Sequence, residues 1–256
     1  MAKKKVELDS RILKLTAIFR GLEPAVIDFL VERSRTSAIA ETWEEREKEL
    51  GKLFDVWRVI WKQIGCQAIA DSLYKKKSEA IKRMLRIWRK KYPNETLKSL
   101  ASKGIHLGIP VIRKSQMGLY GLMSMLQNVE TRGYTQIDPD EIIDHVGIFQ
   151  GIYVIYDVED GRCTLGHTAD QAKHIIKASG RQGLSEEESI SMCIILTDVL
   201  THHNIHCIGS CRKVVINDIL AIFCDEDKQA ILCWSDINQE HAQKEKWGTP
   251  SCVMRK

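Results

Sequence analysis

Apolar residues in this chain change rhythm near residue 104, and that change limits what it can fold into. Before it they recur every three or four positions; after it they form short unbroken runs between turn residues. The first rhythm belongs to helices with one buried stripe, the second to strands in a covered sheet. The expected fold is α+β overall: an all-helical domain over residues 1–104, then an α/β or α+β sheet domain over residues 105–256. A length of 256 residues fits two such units.

Within the first part, residues 11–20 and 24–34 read as short amphipathic helices around Gly21 and Pro24. A longer helix follows, with Trp43, Leu50, Leu53, Phe54, Trp57, Ile60, Trp61 and Ile64 on one stripe, closed by Gly65. A wide aromatic stripe of this kind serves as a bundle core or as a seam for self-association. Next come the short segment CQAIADSLY and the basic segment SEAIKRMLRIWRKKY, which Ser78 is expected to cap and Pro93 to stop.

In the second part LGIPVI, IYVIYDV, VVINDILAIFC and AILCW have strand composition. Helices are expected near Gln116–Gln127, from Asp138–Pro139, near Ala169–Ala178 and after Leu184. The last is the best marked, because Ser185 and Glu188 have the spacing of a capping box ahead of the apolar run Ile190 to Leu200.

Charge divides along the same line. Residues 1–114 hold 26 Lys and Arg against 14 Asp and Glu, a balance of +12; the rest carries 12 against 20, or −8. A basic half points to a polyanionic partner, with a solvated helical surface as the plain alternative. The segment IGCQAIADSLYKKKSEAIKRML (64–85) resembles a helix-turn-helix, placing the motif with its basic helix at 66–92. Ile69, Ala70 and Leu73 suit the first helix, and Ile81 and Leu85 suit the buried face of the second. Lys75, Lys76, Lys77, Lys82, Arg83, Arg86, Arg89 and Lys90 would then contact nucleic acid. The pattern departs from the motif at Tyr74, where a glycine is usual, and in a turn that reads one residue too long.

Other chemistry is sparse. His202, His203, His206, Cys207 and Cys211 are the densest ligand types, but their spacing is not that of a zinc-binding C-x2-C pair. They read as a helix end followed by small buried thiols, so no metal and no cofactor are expected. Asp157 ends an apolar strand, and with Arg181 it is the one candidate for a pocket. No phosphate loop, nucleophile elbow or H-E-x-x-H occurs, so no catalytic residue is assigned and the reading leans away from an enzyme. The N-terminal lysines precede no apolar run, and no stretch of about 18 apolar residues exists, which argues against export and against a membrane partner. A cytoplasmic location with reduced thiols is expected for the eight cysteines.

From about residue 105 the chain also resembles an uncharacterised bacterial family, domain of unknown function 5701. IYVIYDVEDG (Ile152 to Gly161) is similar to that family's strand and turn. Gly180, Arg181, Leu184, Ser185 and Glu188 match its helix start, Gly209-Ser210 its Gly-Ser segment, and Cys233-Trp234, Trp247-Gly248 and Ser251-Cys252 its tail. Gly183 stands where the family has proline, Ser189 where it has glycine, and Cys211-Arg212 reverses its order. The resemblance implies a shared fold over about 150 residues and carries no activity.

The leading expectation is a nucleic-acid-associated protein, with the sheet domain serving for sensing, oligomerisation or partner binding. The alternatives are an interaction protein that self-associates through the 43–64 helix, and an enzyme with its site in the sheet domain.

Overall fold

A computed structural model describes residues 42–63, 66–128, 131–147, 151–238 and 246–256. The helices read at 11–20 and 24–34, together with Ile64 and Gly65, lie outside the described residues. The architecture is α+β, helices first and then sheets. Helix α1 (Trp43–Gln63), α2 (Gln67–Lys75), α3 (Lys77–Lys91) and α4 (Leu97–Ser102) precede β1 (Ile105–Val111).

The remaining elements form two main sheets around one helix. Short α5 (Lys114–Met117) and α6 (Leu119–Ser124) follow β1, divided by Gly118 at φ 72°, so the single helix expected near Gln116–Gln127 is two. After the small hairpin of β2 (Gln127–Asn128) and β3 (Thr131–Arg132) come β4 (Tyr134–Thr135), a single 3-10 turn at Pro139–Glu141, and β5 (Ile142–Asp144). Strand β6 (Tyr153–Glu159) leads to α7 (Ala169–Ala178), β7 (Gln182–Gly183), α8 (Glu186–Ile195) and α9 (Val199–His202). Then follow β8 (Asn204–Arg212), β9 (Asp218–Cys224), β10 (Ala230–Asp236), β11 (Trp247–Gly248), β12 (Ser251–Cys252) and β13 (Met254–Arg255). One sheet runs β1-β6-β12-β7, with β13 also on β6; the other runs β11-β8-β9-β10-β4, with β5 on β8. Strand β9 starts four residues later than the apolar run suggested, because Val214, Val215 and Ile216 form an exposed turn.

All seven residues of β6 are buried. Helix α3 crosses the β1–β6 pair, and Gly108 permits the approach: a Cβ there would lie 3.0 Å from Met84 Sδ. The aromatic stripe of α1 turns inward too. Leu50, Phe54, Trp57 and Trp61 are at most 1% exposed and belong to one apolar cluster that runs through Met84, Trp88, Ile109 and Ile155 to Leu220 and Cys252. The change of rhythm at residue 104 is thus a change of element type inside a continuous core. Full burial of each large side chain is worth about 1.5–3 kcal/mol. A surface ion pair such as Lys77–Asp55 (2.6 Å) is worth at most about 1 kcal/mol. Apolar contact therefore holds α1 and α3 in place.

Helix α8 sits between the sheets. Nine of its ten residues, Glu186 to Ile194, are buried, and beyond the first turn only the small Ser189 and Ser191 interrupt an apolar surface, as suits a helix covered on all sides. Its capping box is formed as the sequence predicts: Ser185 Oγ accepts from Glu188 N at 3.3 Å, and Glu188 Oε2 accepts from Ser185 N at 2.9 Å. The helix stops at Ile195 rather than Leu200. Strand β8 presses against this start at Gly209, whose added Cβ would fall 2.7 Å from both Leu184 C and Ser185 N. Gly209→Ala should cost about 1–3 kcal/mol in urea denaturation. Gly51→Ala, whose added Cβ within α1 would meet Lys77 Cε at a comfortable 4.0 Å, should instead add about 1 kcal/mol.

Candidate functional site

The basic segment is built on α3. Ala80, Ile81, Met84, Leu85 and Trp88 are buried, and residues four apart on the opposite side must then face outward. Lys82, Arg86 and Lys90 are exposed and form that outward row, roughly 6 Å apart along the axis. They make no ion pair among the described residues. Lys75 is exposed at the end of α2.

The other four predicted contacts turn back to the chain. Lys76 Nζ donates to Ile152 O at 2.6 Å, Lys77 pairs with Asp55, and Arg83 pairs with Glu79 at 2.5 Å. The Arg89 guanidinium lies 4.8 Å over the Trp43 ring, beside Arg46, which lies over both Trp43 and Trp88. Two sequence details differ. The N-cap of α3 is Lys76, so Ser78 sits inside the helix. A helix-turn-helix has a three- to four-residue turn; here one residue, Lys76 at φ −90° and ψ −2°, joins α2 to α3. No glycine or proline separates Ser72 from Ser78, and the backbone stays helical through the junction.

Asp157 and Arg181 do meet, but as a tie between α3 and the sheet. Asp157 is 1% exposed and has φ 52°, a left-handed backbone that costs roughly 1–2 kcal/mol. Its Oδ2 pairs with Lys91 Nζ at 2.5 Å, its Oδ1 accepts from Tyr92 Oη at 2.8 Å, and Arg181 Nη1 is 3.5 Å from Oδ2. Arg181 also donates to Asp157 O and to Ser251. Burial, then the bond to Asp157, push the Tyr92 hydroxyl pKa well up, so it stays a donor. Helix end, strand and tail are pinned together through these groups.

The histidines and cysteines near residue 205 do not converge. His203 Nε2 is 2.8 Å from Asp160 O, His206 stacks on Trp247 at 4.6 Å, and His202 is paired with Asp198. Cys211 Sγ lies 3.0 Å from His145 Nε2, and Cys207 is buried.

The group that does converge lies at the start of α8. Glu186, Glu187 and Glu188 are successive and no more than 2% exposed. Glu188 takes a two-toothed contact from Arg255 (2.6 and 2.9 Å) and the Tyr153 hydroxyl at 3.0 Å. Glu187 pairs with Arg113 at 2.6 Å and accepts from Lys114 N at 2.8 Å. Glu186 meets Lys114 Nζ at 2.5 Å, and Asp144 lies 3.1 Å from the same ammonium. Oxygens of Asp144, Glu186 and Glu187 all lie within 4.8 Å of one another, a spacing suited to one cation. Lys114 supplies that charge.

Proton count decides the state of this cluster. Ser210 Oγ is 2.7 Å from Asp144 Oδ1 and 2.5 Å from Glu186 Oε2. A hydroxyl donates once, so one of the two carboxyls must carry a proton. Burial, then the bond to Asp144, push Glu186 up to about 8. Burial also acts on Asp144, but the bond from Glu186 and the Lys114 ammonium outweigh it and hold Asp144 low. Glu186 is therefore the neutral partner. Of these groups the sequence marks only Glu188, as a cap partner; Glu186, Glu187 and Asp144 go unmarked, because acids in a first helical turn ordinarily face water. The available signal was the apolar run behind them, which leaves no face open to water.

A carboxyl raised in the folded state holds a proton that the unfolded chain releases near pH 4.5. Its stabilising contribution is full below that pH and is lost as pH rises toward about 8. The stability difference between wild type and Glu186→Gln should thus fall by up to about 1.4 kcal/mol per pH unit across that window. A flat difference in urea titrations would mean that Glu186 is ionised throughout.

Among the described residues no helix is long and apolar enough to cross a membrane. Comparison with protein-family models, with curated proteins and with solved structures finds no match to this chain.

Proposed function

We propose that this is a cytoplasmic nucleic-acid-associated protein that grips phosphates along the outward row of α3. The observation carrying this reading is that Lys82, Arg86 and Lys90 are exposed on one helix face with no anionic partner among the described residues. A row of fixed cations on a rigid, core-anchored helix suits a polyanion, and it reads backbone rather than base sequence. Lys75 extends the row, and Arg89 can leave the Trp43 ring to join it. Lys76, Lys77 and Arg83 act instead in holding the helix in place. The one-residue junction before α3 argues against major-groove docking of the helix-turn-helix kind.

The sheet part is assigned the partner-binding, sensing or oligomerising role. We also retain its resemblance to domain of unknown function 5701, because the matched pieces touch one another: Arg181 bonds Ser251, Gly209 N donates to Leu184 O at 2.8 Å, and Glu188 caps with Ser185. Self-association through α1 has less support, since Leu50, Phe54, Trp57 and Trp61 face the chain's own core.

Binding to a fluorescent duplex should weaken linearly on a log–log salt plot with a slope of about −2.7 for three phosphates. Replacing Lys82, Arg86 and Lys90 together by alanine should remove most of the slope and the affinity. Unchanged affinity in that variant would refute the assignment.

A further inference from the structure

The α3 row ends beside an indole. Arg89 follows Arg86 by three residues, which sets it on the same side of the helix, and it is exposed. Its guanidinium lies 4.8 Å over the ring of Trp43, the first residue of α1. Trp43 is half-buried and packs edge-on against Trp88, with ring centroids 6.5 Å apart and planes at 89°. A second guanidinium, that of Arg46, lies 4.3 Å over the Trp43 ring and 4.7 Å over Trp88, and Arg46 is only 5% exposed. The buried arginine therefore backs the indole on its inner side, and the exposed one covers it toward solvent.

Arg89 is the replaceable part of this stack, because Trp88 and Arg46 hold the ring whichever way Arg89 points. An exposed guanidinium over an indole gains a factor of only about two to five. A nucleobase stacked on an aromatic ring gains about five- to a hundredfold, and an Arg89 released from the ring gains a phosphate. The exchange is favourable on both counts. Only an unpaired strand offers such a base freely, since in a duplex the bases are stacked and paired and extruding one costs both. A cationic row that tracks the backbone beside an aromatic that holds a base is the means by which proteins hold single strands without reading sequence.

We propose that the α3 row is a single-strand site, in which Arg89 swings to a phosphate and one nucleobase stacks on Trp43 in its place. This rests on the assignment of nucleic-acid binding to α3 and adds the kind of strand that is bound.

The probes are labelled oligo(dT), oligo(U), an abasic deoxyribose strand and a duplex, all of equal length, titrated with the full chain by fluorescence anisotropy at one salt concentration. Oligo(dT) should bind at least about fivefold more tightly than the abasic strand, which carries the same phosphates. Trp43→Leu should remove that difference, Trp43→Phe, which keeps a ring, should retain most of it, and neither should change the duplex affinity. The tighter of oligo(dT) and oligo(U) identifies the strand as DNA or RNA. Equal wild-type affinities for oligo(dT) and the abasic strand, a comparison that needs no variant to fold, would overturn the stacking site while leaving phosphate binding intact. A difference that survives Trp43→Leu would do the same, and absence of binding to every probe would overturn the α3 assignment as well.

Discussion

The fold depends on a buried charge cluster at the start of α8. Putting Glu186, Glu187 and Glu188 at the centre of the molecule is tolerable only because each has its own compensation. Glu188 has Arg255 and Tyr153, Glu187 has Arg113, and Glu186 keeps a proton beside Lys114 and Asp144. Desolvating an isolated carboxylate costs several kcal/mol even after relaxation. Removing any one cation would therefore cost more than the ion pair itself contributes. The partners arrive from distant places in the chain: Arg113 and Lys114 follow β1, Asp144 ends β5, Ser210 lies on β8 and Arg255 is the penultimate residue. Such a cluster specifies one arrangement of both sheets, since no shifted register would satisfy all three carboxylates.

The same logic explains the second tie, around Asp157. A left-handed aspartate inside a strand is strained, and it persists because Lys91, Tyr92 and Arg181 hold both its oxygens. Through Lys91 and Tyr92 the end of α3 is locked to β6, and through Arg181 and Ser251 the chain's tail is locked to the same point. Buried polar ties give direction to a core whose apolar contacts, from Phe54 to Cys252, supply most of the stability.

Local signals were legible in the sequence. The helix spacing of Ile81, Met84, Leu85 and Trp88, the Ser185–Glu188 capping geometry, and the apolar strands β6 and β10 all follow from short-range chemistry, and the α+β class follows with them. Long-range facts were not legible. Nothing local says that the Trp57 stripe packs on the chain's own sheet, or that a one-residue junction replaces a turn between α2 and α3. Nothing local says that the acids of a first helical turn are buried. Each is decided by which surfaces meet, and pattern along the chain does not encode partners across it. Asp157 and Arg181 show both sides: residue type and strand position picked them out, yet they join as a structural pin and not as an open pocket.

Charge asymmetry is also less uniform than its sum suggests. Of the cations clustered from Lys75 to Lys91, Lys76, Lys77, Arg83 and Lys91 bond to carbonyls or carboxylates of the chain, and Arg89 lies on an indole. Those contacts fix α3 in orientation. Lys82, Arg86 and Lys90 cannot be used in that way, because the helix period places them opposite Met84 and Trp88, which face the core. The geometry that buries one side of α3 therefore creates the cationic row on the other. A row fixed on a helix that cannot rotate loses less entropy on meeting a polyanion than lysines on a mobile tail would.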